Sequence, residues 1–135
     1  MTNRFHFNCV CAAIENILDQ QNAVLDHCPS SCYSNLLNPV KFLGDTIPFM
    51  LLTEQGSPFK AYGDVGGNCF TTAFFRVEST NHCCATLRLL LPIDCHGQLA
   101  HDVCDVHELI KTKSCVEIDL TCFCAIQCLS PRLVN

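Results

Sequence analysis

Hydrophobic residues recur every three or four positions near the start of the chain. The apolar positions that follow this spacing are Val10, Ile14, Ile17, Val24 and Cys28. Such spacing predicts an amphipathic helix, and Asn8 is a residue type that caps helix starts. We expect the helix to extend from Asn8 to about Asp26, with Gln21 interrupting its apolar stripe. This stripe would pack on a sheet or on another subunit.

From Ile47 onward the pattern changes to short apolar runs separated by Gly, Pro and Asn, which is typical of strands. The predicted strands cover residues 47–53, 59–62, 69–78, 83–91, a short segment near 106–110, and 115–131. Aromatic residues occupy both faces of the segment 69–78, which indicates a central or doubly covered strand. The segment 83–91 should pair with it in an antiparallel orientation.

The segment Cys115–Pro131 alternates apolar and polar residues and contains four cysteines. An uninterrupted strand here would place Cys122 and Cys124 together on the apolar face. Their backbone positions would be too far apart for an easy bond between them, so each would need another partner. We therefore expect the inward cysteines of this strand to be buried thiols or intrachain disulfides.

Five to seven short strands after one helix predict a mainly β fold. The expected architecture is a single-domain β-sandwich or partly open barrel with an N-terminal amphipathic helix docked outside. A length of 135 residues suits one domain. Within residues 1–135 we assign 1–32 to an N-terminal arm and helix, and 45–135 to the β core.

Charge and composition exclude several classes of partner. The net charge is -5 with eight basic residues, which gives no footprint for nucleic acid or an anionic membrane. The apolar runs are too short to span a membrane, and the first twenty residues lack the features of a secretion signal. We expect synthesis in a cytoplasm. Hydrophobic residues make up 49% and charged residues only 16%, which favours assembly that covers apolar surface.

Thirteen cysteines are the most unusual feature of the composition. This density is normal in exported disulfide scaffolds, which conflicts with the missing signal. The thiols could bind metal, stay reduced, or oxidise after the cell that made them has gone. An odd number leaves at least one cysteine for a neighbouring chain. The CPSSC segment, Cys28 to Cys32, lacks the two-residue spacing of thioredoxin-type motifs, so an oxidoreductase is disfavoured.

A zinc site is the main alternative, because Cys9-x-Cys11 and Cys122-x-Cys124 with nearby histidines could form a tetrahedral set. Their spacing differs from the compact turns of structural zinc sites, so we expect no metal, no cofactor and no enzymatic activity. His96, His101 and His107 lie among acidic residues in what we interpret as a solvated loop. Gly63–Gly67 is interpreted as a turn, since no phosphate-binding motif surrounds it.

Several strings along nearly the whole chain carry a resemblance to a known family. They are NCVC in the first helix, CP..C..NLLNP (28–39), DTIPF (45–49), GDVGG (63–67), CF..AFFRVE (69–78), CCATL (83–87) and VEIDL.CFCAIQCLSP.LV (116–134). Together they resemble the spore coat and exosporium family that includes CotY, CotZ and ExsY. The resemblance implies a structural protein made in the mother cell of a sporulating bacterium, which self-assembles with copies of itself as hexamers and extended sheets. It also implies disulfide cross-linking, other coat or exosporium proteins as partners, and a place in the coat, crust or exosporium.

Reduced thiols that oxidise after mother-cell lysis would reconcile the cysteine count with cytoplasmic synthesis. We expect Cys9 and Cys11 to reach a neighbour, because they lie where the chain is least constrained by the core. We also expect Cys84 to reach a neighbour, since one of the two adjacent cysteines, Cys83 and Cys84, should point outward. The cysteines expected to be structural or intrachain are Cys28, Cys32, Cys69, Cys83, Cys115, Cys122, Cys124 and Cys128.

Overall fold

The computed structural model describes residues 8–26 and 44–134. A helix, α1, spans Cys9–Asp26 as its pattern predicts. Asn8 precedes it, and its side-chain oxygen accepts a hydrogen bond from the Cys11 backbone N–H at 2.9 Å. This is an N-cap, which satisfies one of the N–H groups that the first turn leaves unpaired.

Seven strands follow the helix within the described residues. They are β1 (Phe49–Leu52), β2 (Ala61–Gly63), β3 (Phe70–Thr72), β4 (Phe75–Asn81), β5 (Cys84–Ile93), β6 (Glu108–Asp119) and β7 (Ala125–Cys128). A five-stranded sheet has the order β6-β5-β4-β1-β7, and β2 and β3 form a separate two-stranded sheet. All of these pairings are antiparallel. The mainly β prediction, with five to seven strands and an N-terminal helix, is confirmed, and both sheets are open.

The segment 69–78 was predicted as one strand but contains two strands of different sheets. Thr72 is buried, and its hydroxyl donates to the Leu90 carbonyl at 2.6 Å and accepts from the Phe74 N–H at 3.1 Å. These side-chain bonds replace strand pairing at this point and redirect the backbone. β4 then occupies the centre of the large sheet, with Phe74 and Phe75 both buried.

The prediction of one strand over Cys115–Pro131 is also wrong. β6 ends at Asp119, whose carboxylate accepts hydrogen bonds from the Thr121 N–H and hydroxyl. These bonds cap a 3-10 helix at Leu120–Cys122, and the chain then forms β7 at the opposite edge of the sheet. The apolar alternation continues through the turn, which is why the pattern alone does not reveal the break.

The large sheet has one face covered by α1. The core on this face joins buried helix residues to alternate residues of β1, β4 and β5, among them Ile14, Ile17, Phe49, Phe75 and Leu87. A smaller cluster on the opposite face contains Met50, Phe74, Leu90 and Leu109, with Leu133 and Val134 packed against it. Among the described residues, none of the helices combines the length and hydropathy that crossing a membrane demands.

Gln21 explains the interruption of the helix stripe. It is 2% exposed, and its Nε2 donates to the Val77 carbonyl at 3.0 Å while its Oε1 accepts from the Ile47 N–H at 3.0 Å. The pairing of β4 with β5 is irregular between Val77 and Ser79. The glutamine therefore bonds backbone groups at an irregular place in the sheet and fixes the helix against it.

A network of charged side chains lies on the sheet beyond the apolar core. Glu78 accepts from Arg76 at 2.6 Å and from Arg88 at 2.9 Å, and Asp45 lies 3.6 Å from Arg76 and 3.1 Å from the Lys111 ammonium. Burial alone would raise the pKa of Glu78, but the bonds from Arg88 and Arg76 outweigh it, and the net pKa is lowered. Nothing in the sequence pattern predicts this network.

Candidate functional site

Within the part of the chain that the structure describes, one intrachain disulfide joins the helix to the sheet. The Sγ atoms of Cys11 and Cys83 are 2.07 Å apart, and their Cα atoms are 5.3 Å apart. Cys11 is in the first turn of α1 and is 5% exposed, next to Val10 on the stripe that faces the sheet. Cys83 lies in the turn between β4 and β5 with a positive φ of 66°. The expectation that Cys11 reaches a neighbour is therefore wrong, because the apolar face of the helix turns it inward.

The other described cysteines are free and exposed. They are Cys9, Cys69, Cys84, Cys95, Cys104, Cys115, Cys122, Cys124 and Cys128. Five of these were expected to be structural or intrachain: Cys69, Cys115, Cys122, Cys124 and Cys128. In the structure each of the five is an exposed thiol. Cys28 and Cys32, which are also expected to be structural or intrachain, lie outside the described residues.

The strand break explains the exposure of the cysteines at 115–128. Within β6 the inward side chains are Val116 and Ile118, so Cys115 points outward. Cys122 ends the 3-10 helix, and Cys124 follows it, where its thiol donates to the Thr53 carbonyl at 3.1 Å. Neither occupies the buried face that continuous alternation would have given it.

Three of the free thiols lie close to the disulfide. Cys9 is two residues before Cys11, and Cys84 directly follows Cys83. Cys122 belongs to the 3-10 helix whose first residue, Leu120, donates its N–H to the Cys83 carbonyl at 2.8 Å. One end of the molecule thus carries a disulfide and three exposed thiols.

The remaining thiols are spread over other parts of the surface. Cys128 lies in the edge strand β7, and burial raises the pKa of its thiol although part of the side chain reaches solvent. A higher pKa leaves less thiolate, so Cys128 should react more slowly with disulfides. Cys69 lines an open groove of about 500 Å³ between the β2–β3 hairpin and the loop at 99–103.

The sequence pattern assigns no role to two exposed cysteines, Cys95 and Cys104. Cys95 lies in a turn where the Asp94 carboxylate accepts from the His96 and Gln98 N–H groups, and Cys104 lies in a 3-10 helix capped by Asp102. The sequence did contain a usable signal. Cys95 is followed by His96 and Gly97 and preceded by Asp94, and Cys104 lies between Asp102 and Asp105. Asp and Gly are typical of exposed turns.

The geometry also bears on metal binding and catalysis. Within 8–26 and 44–134, no three His, Cys, Asp or Glu side chains are grouped closely enough to hold a metal ion. His101 and Asp102 line the same groove as Cys69, but the Asp102 carboxylate accepts from the Cys104 N–H. The acidic and histidine-rich segment instead forms turns, as its interpretation as a solvated loop predicts.

Comparison with known proteins identifies the family. A family model described as spore coat protein Z matches residues 2–131. Spore coat protein Z of Bacillus subtilis (strain 168) is 49% identical over 137 residues, covering 95% of this chain and 93% of that protein. No solved structure matches the chain. A match over nearly the whole length, joined to a cysteine-rich surface, leads to one conclusion: the chain belongs to the spore coat protein Z family.

Proposed function

We propose that this chain is a structural building block of the outer spore layer, the crust or exosporium. Copies of the chain assemble into a two-dimensional hexagonal lattice, which disulfides then cross-link. Other proteins of the coat or exosporium bind the same lattice. The role is non-catalytic, and the chain reaches the spore surface from the mother-cell cytoplasm.

One observation carries the proposal. All nine free cysteines that the structure describes are exposed, while the buried Cys11 is already paired within the chain. A protein that used its cysteines for its own stability would bury or pair most of them. Exposed thiols spread over several elements suit bonds between copies, and the family membership supplies the spore coat context.

Assembly needs an attractive contact before oxidation, because a reducing cytoplasm forbids stable disulfides during synthesis. Burial of apolar surface between copies stabilises such a contact by about 25 cal/mol per Å². Tyr62, in β2, is 69% exposed, and Val65, just after β2, is 77% exposed. Both side chains offer apolar surface of this kind. Closed rings that repeat through a second interface would tile a plane.

The test is electron microscopy of the protein expressed alone. We expect flat arrays with hexagonal order, visible before any oxidant is added. A protein that remains a monomer at high concentration, under both reducing and oxidising conditions, contradicts the proposal. Metal analysis of the same sample tests the alternative of a zinc-stabilised interaction module, for which stoichiometric zinc without disulfides is the signature.

A further inference from the structure

The turn between β4 and β5 holds Cys83 at one end of the large sheet. Asn81 and Cys84 are paired across the two strands, so the turn consists of His82 and Cys83 alone. Both residues have a positive φ, 52° and 66°, which is the backbone of a type I′ turn. The Cys83 carbonyl also accepts from the Leu120 N–H. Strand pairing and this hydrogen bond act on the turn independently of the disulfide.

The two sulfurs of the disulfide differ in access. Cys11 is 5% exposed and belongs to the apolar core on the helix face of the sheet. Cys83 lies at the tip of the turn, where it is half-buried and packs against that core. In thiol–disulfide exchange a thiolate reaches one sulfur while the other sulfur leaves. Attack is therefore directed to Cys83, and Cys11 is the leaving thiol.

Exposed thiols surround this disulfide on three elements. Cys9 lies in the same helix turn as Cys11, and Cys84 begins β5. Cys122 ends the 3-10 helix whose first N–H bonds the Cys83 carbonyl. We call these three thiols, together with the Cys11–Cys83 disulfide that they surround, the cysteine end.

Two of the three thiols are poorly placed to attack the disulfide of their own chain. The exposed Cys84 alternates with the core residues of β5, so its side chain lies on the face of the sheet opposite to the helix. Cys9 and Cys11 are two residues apart in a helix, and residues at that spacing do not face each other. Cys122 is the remaining candidate for attack within the chain. A second copy that meets this end with its own cysteine end presents all three thiols to the disulfide.

We propose that an exposed thiol of one cysteine end attacks the Cys83 sulfur of a second copy and converts the intrachain disulfide into a bond between chains. This inference rests on the proposed function, in which copies are held side by side. In a two-fold contact the same surface of both copies meets, so each disulfide faces the thiols of the other copy. Cys83 then becomes a cross-linking residue, although it is paired within its own chain before assembly.

The exchange balances without an added oxidant. The attacking thiol gives its proton to water and bonds to the Cys83 Sγ as the Cys11–Cys83 bond breaks. The electron pair of the broken bond stays on the Cys11 Sγ, which takes up a proton. The numbers of disulfides and of thiols are therefore unchanged.

Assembly decides the direction of the exchange. The intrachain bond joins residues 72 apart in sequence, and a bond that closes so long a loop stabilises the fold. A thiol of a dilute second copy does not offset its loss, whereas a thiol held by an assembled sheet has a high effective concentration. The released Cys11 stays in the apolar core, where a free cysteine behaves as a small hydrophobic residue. The exchange should therefore occur in sheets and not in dilute protein.

Mixed isotopes test the exchange in the absence of oxidant. Full-length protein with the Cys11–Cys83 disulfide intact and its other cysteines reduced is prepared with and without ¹⁵N, mixed, and assembled under argon. Free thiols are alkylated with N-ethylmaleimide at mildly acidic pH, and the digest is analysed without reduction by mass spectrometry. We expect alkylated Cys11 to be about tenfold more abundant in sheets than in the same protein kept dilute. Disulfide peptides of Cys83 should join labelled to unlabelled chains.

Two triple variants, each with three exposed cysteines replaced by serine, test the origin of the attacking thiol. The first removes the thiols of the cysteine end: Cys9→Ser, Cys84→Ser and Cys122→Ser. The second is the matched control and removes thiols from other surfaces: Cys69→Ser, Cys95→Ser and Cys104→Ser. We expect the first to reduce alkylated Cys11 about tenfold and the second to leave it unchanged. Circular dichroism checks that both variants are folded.

Several outcomes overturn the inference. Cys11 that stays protected from alkylation in sheets is one, and a first variant that releases as much Cys11 as the parent is another. Cys83 peptides that are all isotopically pure also overturn it, because they show attack by Cys122 within the chain. If sheets form and only an added oxidant cross-links them, the inference alone fails. If no sheets form at all, the proposed function fails with it.

Discussion

At the scale of single residues, polar side chains decide where the helix and strands meet. Gln21 bonds Val77 and Ile47, and Thr72 bonds Leu90 and Phe74. Each satisfies backbone groups that regular pairing leaves free, and each is almost fully buried. Such residues specify the path of the chain more closely than the apolar residues around them.

Gln21→Leu should lower the free energy of unfolding by about 1–3 kcal/mol. The leucine retains apolar volume but leaves the Ile47 N–H without its partner and takes one donor from the Val77 carbonyl. Urea unfolding followed by circular dichroism measures the change. Gln20→Leu, at an exposed position of the same helix, is the matched control and should change little.

Glu78 makes the free energy of unfolding depend on pH in the acidic range. Its folded pKa is lowered, because the bonds from Arg88 and Arg76 outweigh its burial. Its contribution is therefore complete above the unfolded glutamate pKa of about 4.3 and is lost as the pH falls through the folded pKa. Glu78→Gln should reduce stability at pH 7 and flatten the decline between pH 5 and 3. Glu54→Gln, in an exposed turn, is the control. If the stability of Glu78→Gln declined with falling pH as steeply as that of the parent and of Glu54→Gln, this role of Glu78 would be contradicted.

At the scale of elements, the local pattern predicts some boundaries and misses others. The helix and its cap were predictable, because the 3.6-residue period and the Asn8 cap are both local. The breaks at Thr72 and Asp119 were not, because each depends on a side chain that hydrogen-bonds the backbone. Around Thr72 both faces carry apolar residues, and beyond Asp119 the apolar alternation continues. The exposed thiols of Cys122 and Cys124 followed from that second break. The Cys11–Cys83 pair joins residues 72 apart in sequence, which spacing alone cannot reveal.

The disulfide should fasten α1 to the β4–β5 turn. Replacing both Cys11 and Cys83 with Ala should lower the free energy of unfolding by about 2–4 kcal/mol, because the unfolded chain regains the freedom that a long closed loop removes. Thermal unfolding of the oxidised protein measures the loss. Cys9→Ala removes an exposed thiol from the same helix turn and should have little effect. Equal losses in the two proteins would show that the disulfide adds no stability.

At the scale of the whole molecule, few of the described cysteines serve the fold and many face outward. We expect non-covalent contacts to form the lattice and disulfides to secure it. Reductant alone should therefore weaken assembled sheets without preventing their formation, whereas reductant with heat or denaturant should dissolve them. Light scattering and microscopy follow both processes. Sheets that never form in reductant, although the protein is folded, would reverse this order.

The most direct test separates bonds within chains from bonds between them. Protein labelled with ¹⁵N is mixed with unlabelled protein before assembly, oxidised, digested without reduction, and analysed by mass spectrometry. We expect the Cys11–Cys83 peptide to carry one isotope per molecule, whereas disulfides formed by the exposed cysteines should join labelled to unlabelled peptides. If the disulfides of the exposed cysteines are all isotopically pure, cysteines do not cross-link the copies, which contradicts the proposed function.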